Sequence, residues 1–221
     1  MIGLEQTRAA WDAEAAGFDD EPDHGLRDPE VRRAWRALLA SALPPAPARV
    51  ADLGCGTGTL AALLAEQGHV VNGVDLSPEM LARARAKGAG LAVTFTEGDA
   101  ADPPLPAGEF DVVLSRHVLW AMPDRAAALE RWCGLLRPGG RLVLVEGFWF
   151  TGAGLRAAEA EALVMGRGRA SVVRPLTDPA YWGGEITDES ATCWSATDRV
   201  GQGSDSLGEP CRSGVHRRCS G

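Results

Sequence analysis

Arg49-Val-Ala-Asp-Leu-Gly-Cys-Gly-Thr-Gly-Thr-Leu60 is an apolar run carrying an acid near its end, then three glycines at alternating positions, then an alanine- and leucine-rich segment. That order predicts a strand over 49–53, a tight turn, and a helix over 58–67. Glycine is needed where the backbone turns with positive φ, and where a ligand must approach the chain more closely than a Cβ allows. Gly54, Gly56 and Gly58 therefore read as a cradle for a nucleotide-like ligand.

The glycine spacing narrows the ligand. Dinucleotide sites use G-x-G-x-x-G with the pyrophosphate on the helix N-terminus. Here the third glycine comes one residue earlier, and Asp52 would repel a pyrophosphate. An ammonium and a sulfonium would be attracted instead, and S-adenosylmethionine carries both. On these residues the chain resembles the class I S-adenosylmethionine-dependent methyltransferases, whose first motif reads D-x-G-x-G-x-G. Asp52, Gly54, Gly56 and Gly58 match it residue for residue. The resemblance covers roughly residues 48–150. It implies an α/β fold with a doubly wound, Rossmann-like sheet, S-adenosylmethionine as cofactor, and methyl transfer to a small-molecule acceptor.

Composition sets the outer bounds. A chain of 221 residues is large enough for one α/β domain with a modest appendage. A formal net charge of -8 argues against a nucleic-acid partner, which requires clustered lysine and arginine. No apolar run approaches membrane-spanning length, and the N-terminus lacks the order of a secretory signal, so a cytoplasmic, soluble protein is expected. Of the five cysteines, Cys55 and Cys133 read as reduced. Cys55 sits inside the glycine turn, where a small residue rather than a nucleophile is what the geometry wants.

Three parts are expected: an N-terminal helical lid over 1–47, a cofactor-binding domain over 48–189, and a tail over 190–221. Helices are predicted over 4–16 and 28–42, with Trp11, Val31, Trp35, Leu38 and Leu39 forming an apolar stripe. The link Phe18-Asp-Asp-Glu-Pro-Asp-His-Gly25 reads as a solvated acidic linker, because it lacks the oxygen-ligand spacing of a calcium loop; no metal site is expected. In the resembled family an aromatic-Asp pair in such a segment folds over the cofactor, which implies that role for Phe18 and Asp19 and makes His24 a pocket candidate. Pro44, Pro45 and Pro47 separate this lid from the core.

A second strand, 69–74, leads into Asp75, about 20 positions after Asp52, the offset at which Rossmann-like folds place a carboxylate on ribose hydroxyls. Capping of the next helix falls to Ser77 before Pro78, which leaves Asp75 for the ribose. Leu76 and Met80 are candidate faces for adenine, and equally candidates for the core. After a third strand, 91–96, the resemblance implies that Asp99 takes the adenine amino group and Ala100 presents its N–H to the ring.

The fourth strand, 110–115, opens on Ser115-Arg-His-Val-Leu-Trp120. Ligands of open α/β sheets bind at the carboxyl ends of strands, so Ser115 and Arg116 are expected beside the cofactor and His117 near the transferred methyl. The Asn-Pro-Pro-aromatic sequence of amide-methylating relatives is absent here, which argues against such acceptors. If the acceptor must lose a proton, His117 is the candidate base, with His24 behind it.

A helix over 123–136, a turn at 137–140, a strand over 141–146, a helix over 153–166 and a strand over 170–176 complete the alternation. The family's seventh strand is doubtful. Residues 190–221 hold three cysteines and little aliphatic content, and only 191–197 offers an alternation that could pair. Cys193, Cys211, His216 and Cys219 do not have a usual zinc spacing. Two other readings stay open at this point: a nicotinamide oxidoreductase, against which the glycine spacing and Asp52 speak, and a cofactor-binding protein without turnover.

Overall fold

A computed structural model describes residues 3–149, 152–185 and 189–198, the last of these by backbone alone. The decisive strand, β1 (Arg49–Leu53), forms where the sequence places it, and the helix after the glycines, α4, is Thr59–Glu66. Four further strands lie parallel to β1: β2 (Val70–Asp75), β3 (Val93–Glu97), β4 (Phe110–Arg116) and β5 (Leu136–Phe148). The spatial order is β3-β2-β1-β4-β5. The chain runs outward from β1 to β3 and then returns to the other side of β1, so the sheet reverses direction between β1 and β4. That reversal is where open α/β sheets bind ligands.

Both faces of the sheet are covered, which is why β4 is buried along nearly all its length and reads as an apolar run. Val50, Leu114, Val143 and Val145 pack on one face against α3 (Pro29–Ala42) and α4. Ala51, Leu53, Val113, Leu142 and Leu144 pack on the other against α6 (Arg125–Leu135) and α7 (Ala157–Met165). Each face has one fully buried tryptophan. Trp35 donates to Tyr181 O at 2.9 Å and Trp132 to Ala100 O at 2.7 Å, so neither leaves its indole N–H unpaired. The predicted stripe of α3 is buried at Val31, Trp35, Leu38 and Leu39, and Asp28 caps the helix through Glu30 N and Val31 N. Trp11, on α1 (Leu4–Glu14), remains 38% exposed.

Two regions correct the sequence reading. Residues 18–25, expected as a solvated linker, form a 3-10 turn (Phe18–Asp20) and the one-turn helix α2 (Pro22–Gly25), and their acids find cations. Asp19 meets Lys87 at 2.8 Å, Asp20 meets Arg27 at 2.8 Å, and Asp23 lies 3.8 Å from Arg116. Partners distant in sequence convert an apparent charge run into a docked segment.

The doubtful seventh strand is present. β7 (Glu189–Asp198) inserts antiparallel between β5 and β6 (Arg169–Pro175), giving the full order β3-β2-β1-β4-β5-β7-β6. Residues 190–198, grouped with the tail by composition, thus pair within the sheet. Hydrogen bonds on both edges hold this strand, where aliphatic content is too low to announce it. Residues 199–221, with Cys211, His216 and Cys219, lie outside the described residues. The turn expected at 137–140 falls within the span of β5, where the register against β4 shifts between Phe110 and Val112.

Candidate active site

The glycine turn is tied to β2. Gly54 N and Cys55 N donate to Val74 O, and Gly56 N donates to Asp75 Oδ2 at 2.8 Å. All three glycines have positive φ, at 70°, 53° and 73° for Gly54, Gly56 and Gly58. Their surroundings differ. A Cβ on Gly54 would lie 2.3 Å from Val118, and one on Gly58 would lie 2.8 Å from Ala84 and 2.9 Å from Phe95. Those two glycines let the protein pack on itself. A Cβ on Gly56 would meet only the Phe18 ring, at 3.4 Å, so what covers Gly56 is a side chain of the N-terminal segment and not the packing of the sheet and its helices. The Cys55 thiol is buried and pushed well up by burial and by the nearby carboxylates Asp52 and Asp75, so it is no nucleophile.

Asp52 ends this approach from below. Its side chain is buried, and Oδ2 has no hydrogen-bond partner. Burial raises its pKa to about 7, with Arg116 opposing the shift and Asp75 adding to it. A buried acid in this state gains from any cationic partner. Asp75 is more occupied than its sequence reading suggests. Oδ1 accepts from Ser77 N at 2.9 Å while Oδ2 accepts from Gly56 N, and burial raises its pKa. A carboxylate has about four acceptor positions, so capacity for hydroxyls remains. Ser77 caps α5 (Pro78–Lys87) through Met80 N at 3.1 Å, the division of labour expected from the sequence.

Of the adenine candidates, Leu76 is half-buried and Met80 is 2% exposed, a core position. Asp99 Oδ1 accepts from Ala101 N at 2.8 Å, and Ala100 is buried with its carbonyl taken by Trp132. The N-terminal segment closes over the turn from above. Phe18 lies on Gly56 and stacks on His24 at 4.3 Å, and His24 Nδ1 is 3.2 Å from Phe18 O. Burial and the Arg116 charge lower the pKa of His24. Lys87 Nζ donates to Asp19, Thr57 and Thr59 together, which latches the segment to the glycine turn.

At the end of β4, Ser115 is fully buried and its Oγ has no partner. Arg116, expected beside the cofactor, lies over the Trp35 ring at 5.1 Å and donates to Asp23 O. His117 has φ 58°, unusual for a residue with a Cβ, and its N–H donates to Val145 O at 2.8 Å. Its Nδ1 is buried without a partner, and burial together with Arg116 holds the imidazole neutral, well below the usual histidine range. An imidazole held neutral can accept a hydrogen bond, and the same burial and charge make it a weaker proton acceptor than a free histidine.

Sequence reasoning missed Glu146. This residue ends the apolar part of β5 with 0% exposure; Oε1 accepts from Leu119 N at 2.8 Å and Val118 N at 3.2 Å, and Oε2 is unpartnered. Burial raises its pKa to about 8, against those same backbone N–H groups, which lower it. An acid after four apolar strand residues was the available signal, but it reads equally as a strand end in water.

Unpartnered buried atoms thus gather at the carboxyl ends of three adjacent strands: Asp52 on β1, Ser115 and His117 at β4, and Glu146 on β5. Among the described residues no group of three or more His, Cys, Asp or Glu could hold a metal ion, and no helix is long and apolar enough to cross a membrane.

Residues 51–144 match a family described as a methyltransferase domain. The chain is 45% identical over 117 residues to a demethylmenaquinone methyltransferase of Thermus thermophilus, an alignment spanning 51% of this chain and 53% of that protein. It is 35% identical over 137 residues to a ubiquinone biosynthesis O-methyltransferase of Xanthomonas axonopodis pv. citri, spanning 61% and 54%. The chain spans about half the length of the curated relatives it matches. A crystal structure of an S-adenosylmethionine dependent methyltransferase from Mesorhizobium loti shares the fold, with a TM-score of 0.61 at 24% identity, covering 73% of this chain and 96% of that one. The acid-and-glycine motif, the matched methyltransferase domain and the sheet order agree: residues 51–144 are similar to the S-adenosylmethionine-dependent methyltransferases, and the sheet has their fold.

Proposed function

We propose that this protein transfers the methyl group of S-adenosylmethionine to a small-molecule acceptor. The observation that carries this reading is Asp52, a buried carboxylate with an unpartnered oxygen at the end of β1, beside a glycine turn that at Gly56 is covered by the Phe18 ring alone. These residues fit the cofactor. Asp52 would hold the ammonium, the free positions of Asp75 the ribose hydroxyls, and Asp99 with Ala100 and Leu76 the adenine. The bound cofactor supplies an activated methyl on a sulfonium, so the protein's task is mainly alignment and exclusion of water.

The chain's own residues divide that task. Phe18 and the Asp19–Lys87 latch cover the glycine turn and keep solvent out. His117, neutral and with Nδ1 unpartnered, takes a proton from an acceptor that must lose one. Glu146 holds the loop that carries His117 by accepting from Val118 N and Leu119 N. The relatives named as demethylmenaquinone and ubiquinone-pathway methyltransferases support a small organic acceptor.

Calorimetric titration with S-adenosylhomocysteine, repeated on Asp52→Asn, tests the reading. Binding by the parent with at least a tenfold loss in the variant is expected, since a charged hydrogen bond contributes about 1.5–3 kcal/mol. No binding by the parent would overturn it.

A further inference from the structure

Four aromatic rings form a row over the carboxyl ends of β4 and β5. Trp182 and His117 have centroids 6.3 Å apart, His117 and Trp149 4.9 Å, and Trp149 and Trp120 5.9 Å, the last two pairs edge to face. The rings come from three separate segments: His117 and Trp120 after β4, Trp149 after β5, and Trp182 after the 3-10 turn Pro179–Tyr181. All four are half-buried, whereas the core tryptophans Trp35 and Trp132 are 0% exposed.

What the row offers is π surface with few polar atoms. The indole N–H groups of Trp120 and Trp182 are already taken, by His117 O at 2.9 Å and Leu176 O at 2.8 Å. The polar member is His117, whose buried Nδ1 has no partner. Charge completes the description. Arg116 precedes His117 in the chain and carries a positive charge that Asp23, 3.8 Å away, offsets in part, so a neutral ligand is favoured over a cation.

We propose that this row is the acceptor subsite and binds a flat, uncharged aromatic ring bearing a hydroxyl that donates to His117. The inference rests on the methyl-transfer reading for its purpose but not for its geometry. Edge-to-face and offset contacts with Trp149 and Trp120 hold the ring, and the hydroxyl gives the unpartnered Nδ1 of His117 its partner.

Binding of 2-naphthol, followed by calorimetry and by quenching of tryptophan fluorescence, tests it. The comparators are 2-decalol, with the same outline and no π system; 2-methoxynaphthalene, with the ring but no donor; and 2-naphthyl-trimethylammonium, with the ring and a cation. The expected order is 2-naphthol tightest, the other three each at least fivefold weaker. Trp149→Ala should weaken 2-naphthol by roughly 5- to 100-fold, the range of a lost stacking partner, while Trp149→Phe stays within about threefold. Equal binding of 2-decalol, 2-methoxynaphthalene or the cation to the parent chain overturns the proposal. So does unchanged affinity in a folded Trp149→Ala variant, and the ligand series on the parent decides the matter should that variant not fold. Parallel titration with S-adenosylhomocysteine separates the two readings. A chain that binds 2-naphthol in this order but not S-adenosylhomocysteine keeps the aromatic subsite and loses the cofactor assignment, and the converse loses only the subsite.

Discussion

The two halves of the sheet, divided at β4, are built on different principles. In the half β3-β2-β1 the site is made by backbone: positive-φ glycines, main-chain N–H groups and two acids within one turn of them. In the half β5-β7-β6 and its loops the site is made by side chains, Glu146 and Trp149 at the end of β5 and Trp182 about 30 positions later. Backbone requirements restrict residue type locally and can be read from a line of sequence. Side-chain assemblies restrict shape, and many sequences satisfy them.

The largest expected effect breaks the second half outright. Ending the chain after Thr187 removes β7, leaving β6 unpaired and the β5 edge open, so soluble yield and cooperative melting should be lost. Ending it after Asp198 retains every described pairing, and the melting temperature should change by no more than about 4 °C, roughly 1–2 kcal/mol for a domain of this size. Circular dichroism melts of the two truncated chains check both.

A finer cut falls within the first half. Gly54→Ala and Gly58→Ala meet atoms at under 3.0 Å as well as positive φ, and should each cost at least about 2–3 kcal/mol in urea denaturation. Gly56→Ala bears only the backbone strain, about 1–2 kcal/mol, but should lower S-adenosylhomocysteine affinity the most for its stability cost. If the three fall in the same order by both measures, the separate role of Gly56 is lost. Asp75→Asn should weaken the same ligand about tenfold, through loss of a charged acceptor; an unchanged Kd would remove the ribose assignment.

How much was legible follows the same division. The positive φ of Gly54, Gly56 and Gly58 and the Ser77 cap are legible in the sequence because each answers a local demand. Glu146 was passed over because a carboxyl at a strand end looks solvated until Val118 and Leu119 are seen folded onto it. Residues 18–25 looked solvated for a similar reason, since Lys87 and Arg116 lie about 70 and 90 positions away in the chain and their approach is a tertiary fact. β7 stays doubtful in the sequence, with 191–197 as its candidate, because pairing on two edges, rather than apolar content, holds it.

The smallest effect sharpens the comparison through pH. Glu146 has a folded pKa of about 8, above its unfolded value of about 4.3, so the folded state keeps a proton that the unfolded chain releases. The stability this provides is complete below pH 4 and is lost as pH rises to about 8; Asp52 acts in the same sense up to about 7. Glu146→Gln stays neutral. It should melt with the parent near pH 4.5 and roughly 4–8 °C above it at pH 9, at a few °C per kcal/mol. Coincident melting curves at both pH values would mean the carboxyl is ionised where it lies.

β6 meets the rest of the sheet solely through β7, and β7 is the later of the two in the chain. During synthesis the ribosome therefore delivers an outer strand before the inner one that will attach it. β1 to β5 can pair in the order they emerge or nearly so, but β5 must wait with an open edge until residue 198 is free of the exit tunnel. For that interval the nascent chain carries β5 with one open edge and an unattached β6, the arrangement in which strand edges are free to pair with another chain.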